Sequence, residues 1–261
     1  MAEVVVVPDA QAAGALVADT LVALIRRKAD AVLGLATGST PLATYRALAE
    51  RVRAEQLDVS AVRGFALDEY VGLPAGHPES YRAVITREVV EPLGLNPRLV
   101  QVPSGDPATI THAGADYEAA IAAAGGIDLQ ILGIGRSGHI GFNEPGSSLA
   151  SRTRIKTLTE ATRIDNARFF ASIEDVPTHC ITQGIGTILA ARHLVLLAFG
   201  DSKAAAVAAA VEGPVSASQP GSAIQLHPHV TVIVDAPAGS QLGQLAYYEH
   251  AWAHKPAWQG I

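Results

Sequence analysis

The sequence predicts an α/β fold: one domain with a doubly wound, largely parallel sheet flanked by helices, Rossmann-like, and carrying a lid segment. Strand-like apolar runs alternate with segments of helical period along the chain. Loops rich in Gly, hydroxyl and carboxyl residues follow directly on strand ends, where open parallel sheets bind ligands. With 261 residues and 49% hydrophobic composition, there is enough apolar material for a sizeable core.

Residues 4–7 read as the first strand. Asp9 is placed to cap a helix running to about residue 28, with Leu16, Val17, Leu21, Leu24 and Ile25 spaced along one face. Residues 31–35 form the next strand. Thr40 as N-cap and Pro41 at the first helical position open a second helix. Residues 62–67 read as a strand, 80–90 and 113–124 as helices, and 127–132 as the central strand. A helix at about 178–189, a strand at 193–199 and a helix at 202–212 follow. A strand at 230–234 and a terminal helix at about 240–254 complete the chain. Residues 141–177 are the longest stretch without strong periodicity, which marks a lid or binding loop. There is no internal repeat and no low-complexity linker, so residues 1–261 read as one domain.

Composition excludes several classes. The net charge of −6 lacks the basic surplus of a nucleic-acid binder. The single cysteine, Cys180, forms no disulfide framework and no cysteine zinc site, and suits a reducing cytoplasm. The start of the chain has no basic segment ahead of its short apolar run, so no signal peptide is expected. The Ala/Val run at 204–211 is too short to span a bilayer. The pairs at His227 and His229 and at His179 and Cys180 lack the ligand count and spacing of a metal site.

Four stretches carry chemistry. Thr37, Gly38, Ser39 and Thr40 lie between a strand and a helix start, where unsatisfied N–H groups and hydroxyls can cradle a phosphate. An ordinary capped turn accounts for this stretch equally well. The Lys-Ser/Thr ending of a nucleotide P-loop is missing. Asp68 and Glu69 follow directly on the strand at 62–67. In extended chain only one of them enters a site, where burial would tune it as a general base; a solvated acidic loop is the blander reading.

Gly133, Gly135 and Gly138 match G-x-G-x-x-G, but the continuation through Gly141, Pro145 and Gly146 opposes the helix that a dinucleotide fingerprint opens. The glycines then serve close approach to a smaller ligand, with His139 and Glu144 in the same loop. Finally, Arg152, Arg154, Lys156, Arg163 and Arg168, with Lys203 further on, suit phosphate or form a solvated face. His77, in the loop before the helix at 80–90, lies near Asp68 in sequence.

Together the segments ATGSTPLATY, LDEYVGLPAGHPESY, GIGRSGHIGFNEPGSSLASRTRIKTLT, ARFF and GDSKAAAVAAAVEG, with IQLHP, resemble the glucosamine-6-phosphate deaminase (isomerising) family. The likeness runs from about residue 31 to 235. The continuation after GHIGFNEP separates it from 6-phosphogluconolactonase, a related family of the same general fold and the nearest alternative.

The resemblance implies a hydrolase of amino-sugar breakdown: glucosamine 6-phosphate and water give fructose 6-phosphate and ammonia, with no metal and no organic cofactor. It implies ring opening by His139 beside Glu144, and C2 proton removal and return to C1 by Asp68. Phosphate is then held by Thr37, Gly38, Ser39, Thr40, Arg168 and Lys203, under a lid at about 157–177. Members vary two residues before the histidine, where an aspartate or a neutral amide stands. Here it is Ser137, which can hydrogen-bond an imidazole but brings no charge.

Hexameric members carry an allosteric site for N-acetylglucosamine 6-phosphate, and the matching positions here are Ser147, Arg154, Lys156 and Tyr247. Both a monomer and a homo-oligomer up to a hexamer fit this pattern. A lactone hydrolase would not need Asp68, and a silent sugar-phosphate sensor would have no use for Asp68, His139 and Glu144 together.

Overall fold

In the computed structural model, which describes residues 2–261, the chain builds two sheets. The strands are β1 (Glu3–Val7), β2 (Val32–Leu35), β3 (Arg63–Ala66), β4 (Asp68–Tyr70) and β5 (Val100–Gln101). They continue with β6 (Leu129–Gly133), β7 (Arg154–Thr157), β8 (His179–Thr182), β9 (Leu194–Ala198) and β10 (Val230–Asp235). Seven form one parallel sheet in the order β1-β10-β9-β6-β2-β3-β5. The central strands are apolar almost throughout, because both of their faces are covered: β2 and β9 are buried at every residue.

From β2 the chain steps outward through β3 to β5, then returns to β6 on the other side of β2 and steps away through β9 and β10. That reversal between β2 and β6 leaves a crevice at their carboxyl ends. Both of the glycine-bearing loops open there, at residues 36–41 and 134–146.

The helix Ala10–Arg27 follows the expected pattern. Asp9 accepts from the Ala12 amide at 2.8 Å, Arg26 and Arg27 sit in the last turn, and Val17, Leu21 and Ile25 are buried. At the second helix the expected cap is corrected. The helix spans Leu42–Ala54 with Pro41 as N-cap and no side-chain cap bond, so Thr40 stays in the preceding loop. The chain at 80–90 begins as a helix, Tyr81–Ile85, capped by Ser80, and loosens into a π-turn over Thr86–Val90. The terminal helix starts later than expected, at Leu245, after a separate turn at Ala236–Gly239.

The largest correction lies at 178–189. Residues His179–Thr182 are a strand, and the helix that follows Gly184 covers only Ile185–Ile188. β8 pairs antiparallel with β4 on one side and β7 on the other, forming a second, three-stranded sheet. Two ladders of hydrogen bonds outweigh the local helical period there. Tyr70, Phe142, Leu158, Val176 and Cys180 form a small core under this sheet, distinct from the main one. Among the described residues, no helix is long and apolar enough to cross a membrane.

Candidate active site

Asp68 stands at the start of β4, opposite Thr182 of β8, and is buried. Its neighbour Glu69 turns to the other face, as extended chain requires. There Glu69 accepts from the amides of Tyr70, Tyr81 and Arg82 at 2.8, 2.9 and 3.0 Å, holding the start of the Tyr81–Ile85 helix. Only Asp68 is left for the crevice. Burial, and then the Glu69 charge, push its carboxyl up to about 8.

The loop after β6 folds back beside it. At Gly141, φ is +55°, and an added Cβ would lie 3.0 Å from Thr182 Oγ1 and 3.5 Å from Asp68 Oδ2. A side chain there would press on Thr182 and Asp68 as well as strain the backbone. The His139 ring lies across Gly135, where an added Cβ would come within 2.2 Å of it.

His139 Nδ1 is 2.9 Å from Ser137 Oγ and 3.4 Å from Glu144 Oε2, and Ser137 Oγ donates to the same oxygen at 3.3 Å. A carboxylate only accepts, so this network favours the proton on Nδ1 and leaves Nε2 as the basic nitrogen. Ser137 thus bridges imidazole and carboxylate without carrying charge itself.

Glu144 is buried, and its other oxygen is held from the following segment. Thr159 Oγ1 donates at 3.2 Å and Thr162 Oγ1 makes a shorter bond to the same Oε1. Burial alone would raise the Glu144 carboxyl, but the hydrogen bonds from His139 and Thr162 and the His139 charge outweigh it. The result is about 2. Thr159 also caps the helix Glu160–Asn166. These two threonines escaped the sequence reading, since nothing in their spacing ties them to a carboxylate 15 and 18 residues earlier.

On the neighbouring loop after β2 lie Thr37, Gly38, Ser39 and Thr40, with nothing within 4 Å of an added Gly38 Cβ. The first amides of the uncapped Leu42–Ala54 helix follow, a natural place for an anion. Lys203 ends the turn Asp201–Lys203 after β9. Burial lowers its ammonium pKa, with Asp165 acting against and Arg136 and Arg168 acting with that shift. Arg168 rests on the Phe169 ring, 4.7 Å from its centroid.

The rest of the basic stretch is dispersed. Arg152 pairs with Glu118, Arg163 donates to the carbonyls of Ile173 and Val176, and Arg154 donates to Asn143 Oδ1 at 2.8 Å. These are pairings that clustering in sequence does not reveal. His77 stacks on Phe170 at 5.9 Å, which in turn meets Tyr70 at 5.6 Å, so both help seat the segment over the small core.

Ser147 is buried with its Oγ unpartnered among the described residues, and Arg154 and Lys156 lie in β7. Tyr247 stands apart from them. It is exposed on the terminal helix, which packs on β1, at the far edge of the large sheet from β5. The four do not form one site within a single chain. Among the described residues, no group of three or more His, Cys, Asp or Glu is arranged to hold a metal.

Residues 9–233 match the family model of glucosamine-6-phosphate isomerases and 6-phosphogluconolactonase. The chain is 62% identical to the glucosamine-6-phosphate deaminase of Streptomyces coelicolor over 260 residues, covering 99% of this chain and 100% of that one. It is 58% identical to that of Mycolicibacterium smegmatis over 260 residues, with the same coverage. Among solved structures, a monomeric glucosamine-6-phosphate deaminase superposes with a TM-score of 0.89 at 40% identity, covering 92% of this chain and 99% of that chain. A 6-phosphogluconolactonase from Trypanosoma brucei superposes with a TM-score of 0.74 at 18% identity, covering 93% and 99%, a likeness of fold alone.

Proposed function

The chain belongs to the family of glucosamine-6-phosphate isomerases and 6-phosphogluconolactonases, and we propose that its reaction is the deaminating isomerisation of glucosamine 6-phosphate. One observation carries this reading at the site. A buried carboxyl raised to about 8 faces the loop that bears an imidazole, whose own partner carboxylate is held ionised. An isomerase needs such a base for a carbon-bound proton, and a lactone hydrolase does not.

His139 Nε2 takes the proton of the anomeric hydroxyl and returns one to the ring oxygen, opening the pyranose. Ionised Asp68 removes the C2 proton of the open-chain aldehyde while a proton of the 2-ammonium passes to O1, giving a neutral enolamine across C1 and C2. Asp68 then delivers its proton to C1, leaving a protonated imine at C2. The resulting C2 imine adds water and releases ammonia, leaving fructose 6-phosphate. Glu144, with Ser137, keeps the imidazole oriented and stabilises its protonated form. Thr37, Gly38, Ser39 and Thr40, with Arg168 and Lys203, hold the phosphate. Residues 157–177 act as a lid on one sugar-phosphate domain spanning residues 1–261. The reaction as written needs no metal and no organic cofactor, and it belongs in the cytoplasm, where phosphorylated sugars are kept.

Two finer points belong to the same proposal. Ser147, Arg154 and Lys156 are the positions at which N-acetylglucosamine 6-phosphate would act as an activator, and hyperbolic kinetics unchanged by that sugar would count against it. The assembly is a monomer or a homo-oligomer, and light scattering separates the two.

The test is ammonia release from purified protein given glucosamine 6-phosphate with EDTA present, run beside 6-phosphogluconolactone hydrolysis. Ammonia with stoichiometric fructose 6-phosphate supports the deaminase. Lactone hydrolysis without ammonia would transfer the assignment to the neighbouring activity and strip Asp68 of its role.

A further inference from the structure

Strand order sets three loops side by side along the crevice: residues 199–203 after β9, 134–139 after β6 and 36–41 after β2. The middle loop carries Arg136, which no motif singled out. It lies between the two stretches already assigned to phosphate. Its Nη2 pairs with Asp165 Oδ1 on the helix Glu160–Asn166. Lys203 senses the charges of Asp165, Arg136 and Arg168 alike. Three cations therefore share one neighbourhood with the Asp165 carboxylate.

That arrangement is better suited to a dianion than to one carboxylate. A phosphate offers three acceptor oxygens to a planar guanidinium and an ammonium, where Asp165 offers two and a single charge. The present pair is also open to solvent, with side-chain exposures of 59% and 43%. Exposed pairs of this kind contribute little and are readily exchanged. The helix would not drift away on losing it, because Thr159 and Thr162 tie its other end to Glu144.

We propose that Arg136 is a further ligand of the substrate phosphate, and that Asp165 stands in for that phosphate until the substrate takes its place. Asp165 then competes with the phosphate for Arg136 and repels it, setting a threshold for lid engagement. The inference rests on reading the crevice as a sugar-phosphate site.

The experiment compares wild type, Arg136→Gln, Asp165→Asn and the double variant, using inorganic phosphate as a calorimetric ligand and glucosamine 6-phosphate for kinetics. Arg136→Gln is expected to weaken phosphate binding and raise KM about tenfold, the loss of one charge-assisted contact. Asp165→Asn is expected to tighten phosphate and lower KM by about threefold to tenfold, from relieved competition. The gain should vanish in the double variant. Arg136→Lys, which keeps the charge but not the fork, should fall between wild type and Gln, and it serves if the Gln variant is unstable.

Phosphate affinity unchanged in both single variants overturns the inference. So does an Asp165→Asn variant whose kcat falls while phosphate binding stays put, since that marks the pair as a lid clamp only. Wild type that binds phosphate but releases no ammonia sinks the deaminase reading alone, and the phosphate affinities still decide the roles of Arg136 and Asp165.

Discussion

Burial and the adjacent Glu69 charge raise the Asp68 carboxyl to about 8, and a base works only when ionised. In free enzyme, kcat/KM should therefore climb with pH, approaching tenfold per unit well below about 8, and level off above it. The folded chain holds this proton more tightly than the unfolded chain does. Its contribution to stability is thus present below the ordinary carboxyl range and is lost as pH rises toward about 8. Asp68→Asn should abolish the ascending limb and lower kcat by about 10²–10⁴-fold; near-normal turnover would remove Asp68 from the mechanism.

Glu144 has the opposite sign. Its depressed carboxyl contributes stability above the ordinary range, and that contribution is lost as pH falls toward about 2. Because His139 Nδ1 keeps Glu144 at 3.4 Å when Ser137 is shortened, Ser137→Ala should lower kcat only a few-fold. His139→Gln should cost about 10²–10⁴-fold. Equal severity in the two variants, measured as steady-state kcat, would make Ser137 an indispensable bridge.

At the scale of elements, the helix Glu160–Asn166 matters through its first turn. Thr159 caps it while both Thr159 and Thr162 hold Glu144. Thr162→Val keeps the shape and removes the hydroxyl. It should lower kcat by about tenfold with a smaller change in KM, the loss of one hydrogen bond to a charged group. Thr162→Ser should recover most of it. A Val variant with wild-type kcat would reduce the contact to packing. The helix Ala10–Arg27 offers a control far from chemistry. Asp9→Ala removes the bond to the Ala12 amide and should lower stability by about 1 kcal/mol in urea unfolding, with kcat intact.

On the scale of the whole molecule, the site joins two sheets. β4 leaves the parallel sheet one residue after β3 and enters the small antiparallel one, carrying Asp68 across the junction. The small core under that sheet includes Cys180, fully buried, with burial pushing its thiol up. Maleimide should leave Cys180 unlabelled in the native protein and label it fully in denaturant. Fast native labelling would mean that the small sheet opens independently of the large one.

The sequence by itself determined the parallel sheet, the order of its main strands and helices, and the loop that bears His139 and Glu144, whereas the strand β4 that carries Asp68 was not legible in it. Those follow from apolar periodicity and from glycines placed after strands, signals that are local in the chain. It also separated Asp68 from Glu69, because alternation in extended chain is local too. Tertiary structure alone decided that residues His179–Thr182 pair as a strand, since two neighbouring strands supply the hydrogen bonds that override the local period. It also decided where the cations go. Arg152, Arg154 and Arg163 are taken up by Glu118, by Asn143 and by backbone carbonyls, and Arg136, on the loop between those after β9 and β2, pairs with Asp165. Charge and hydrogen-bond pairing across tens of residues depends on which surfaces meet, and no spacing along the chain encodes that.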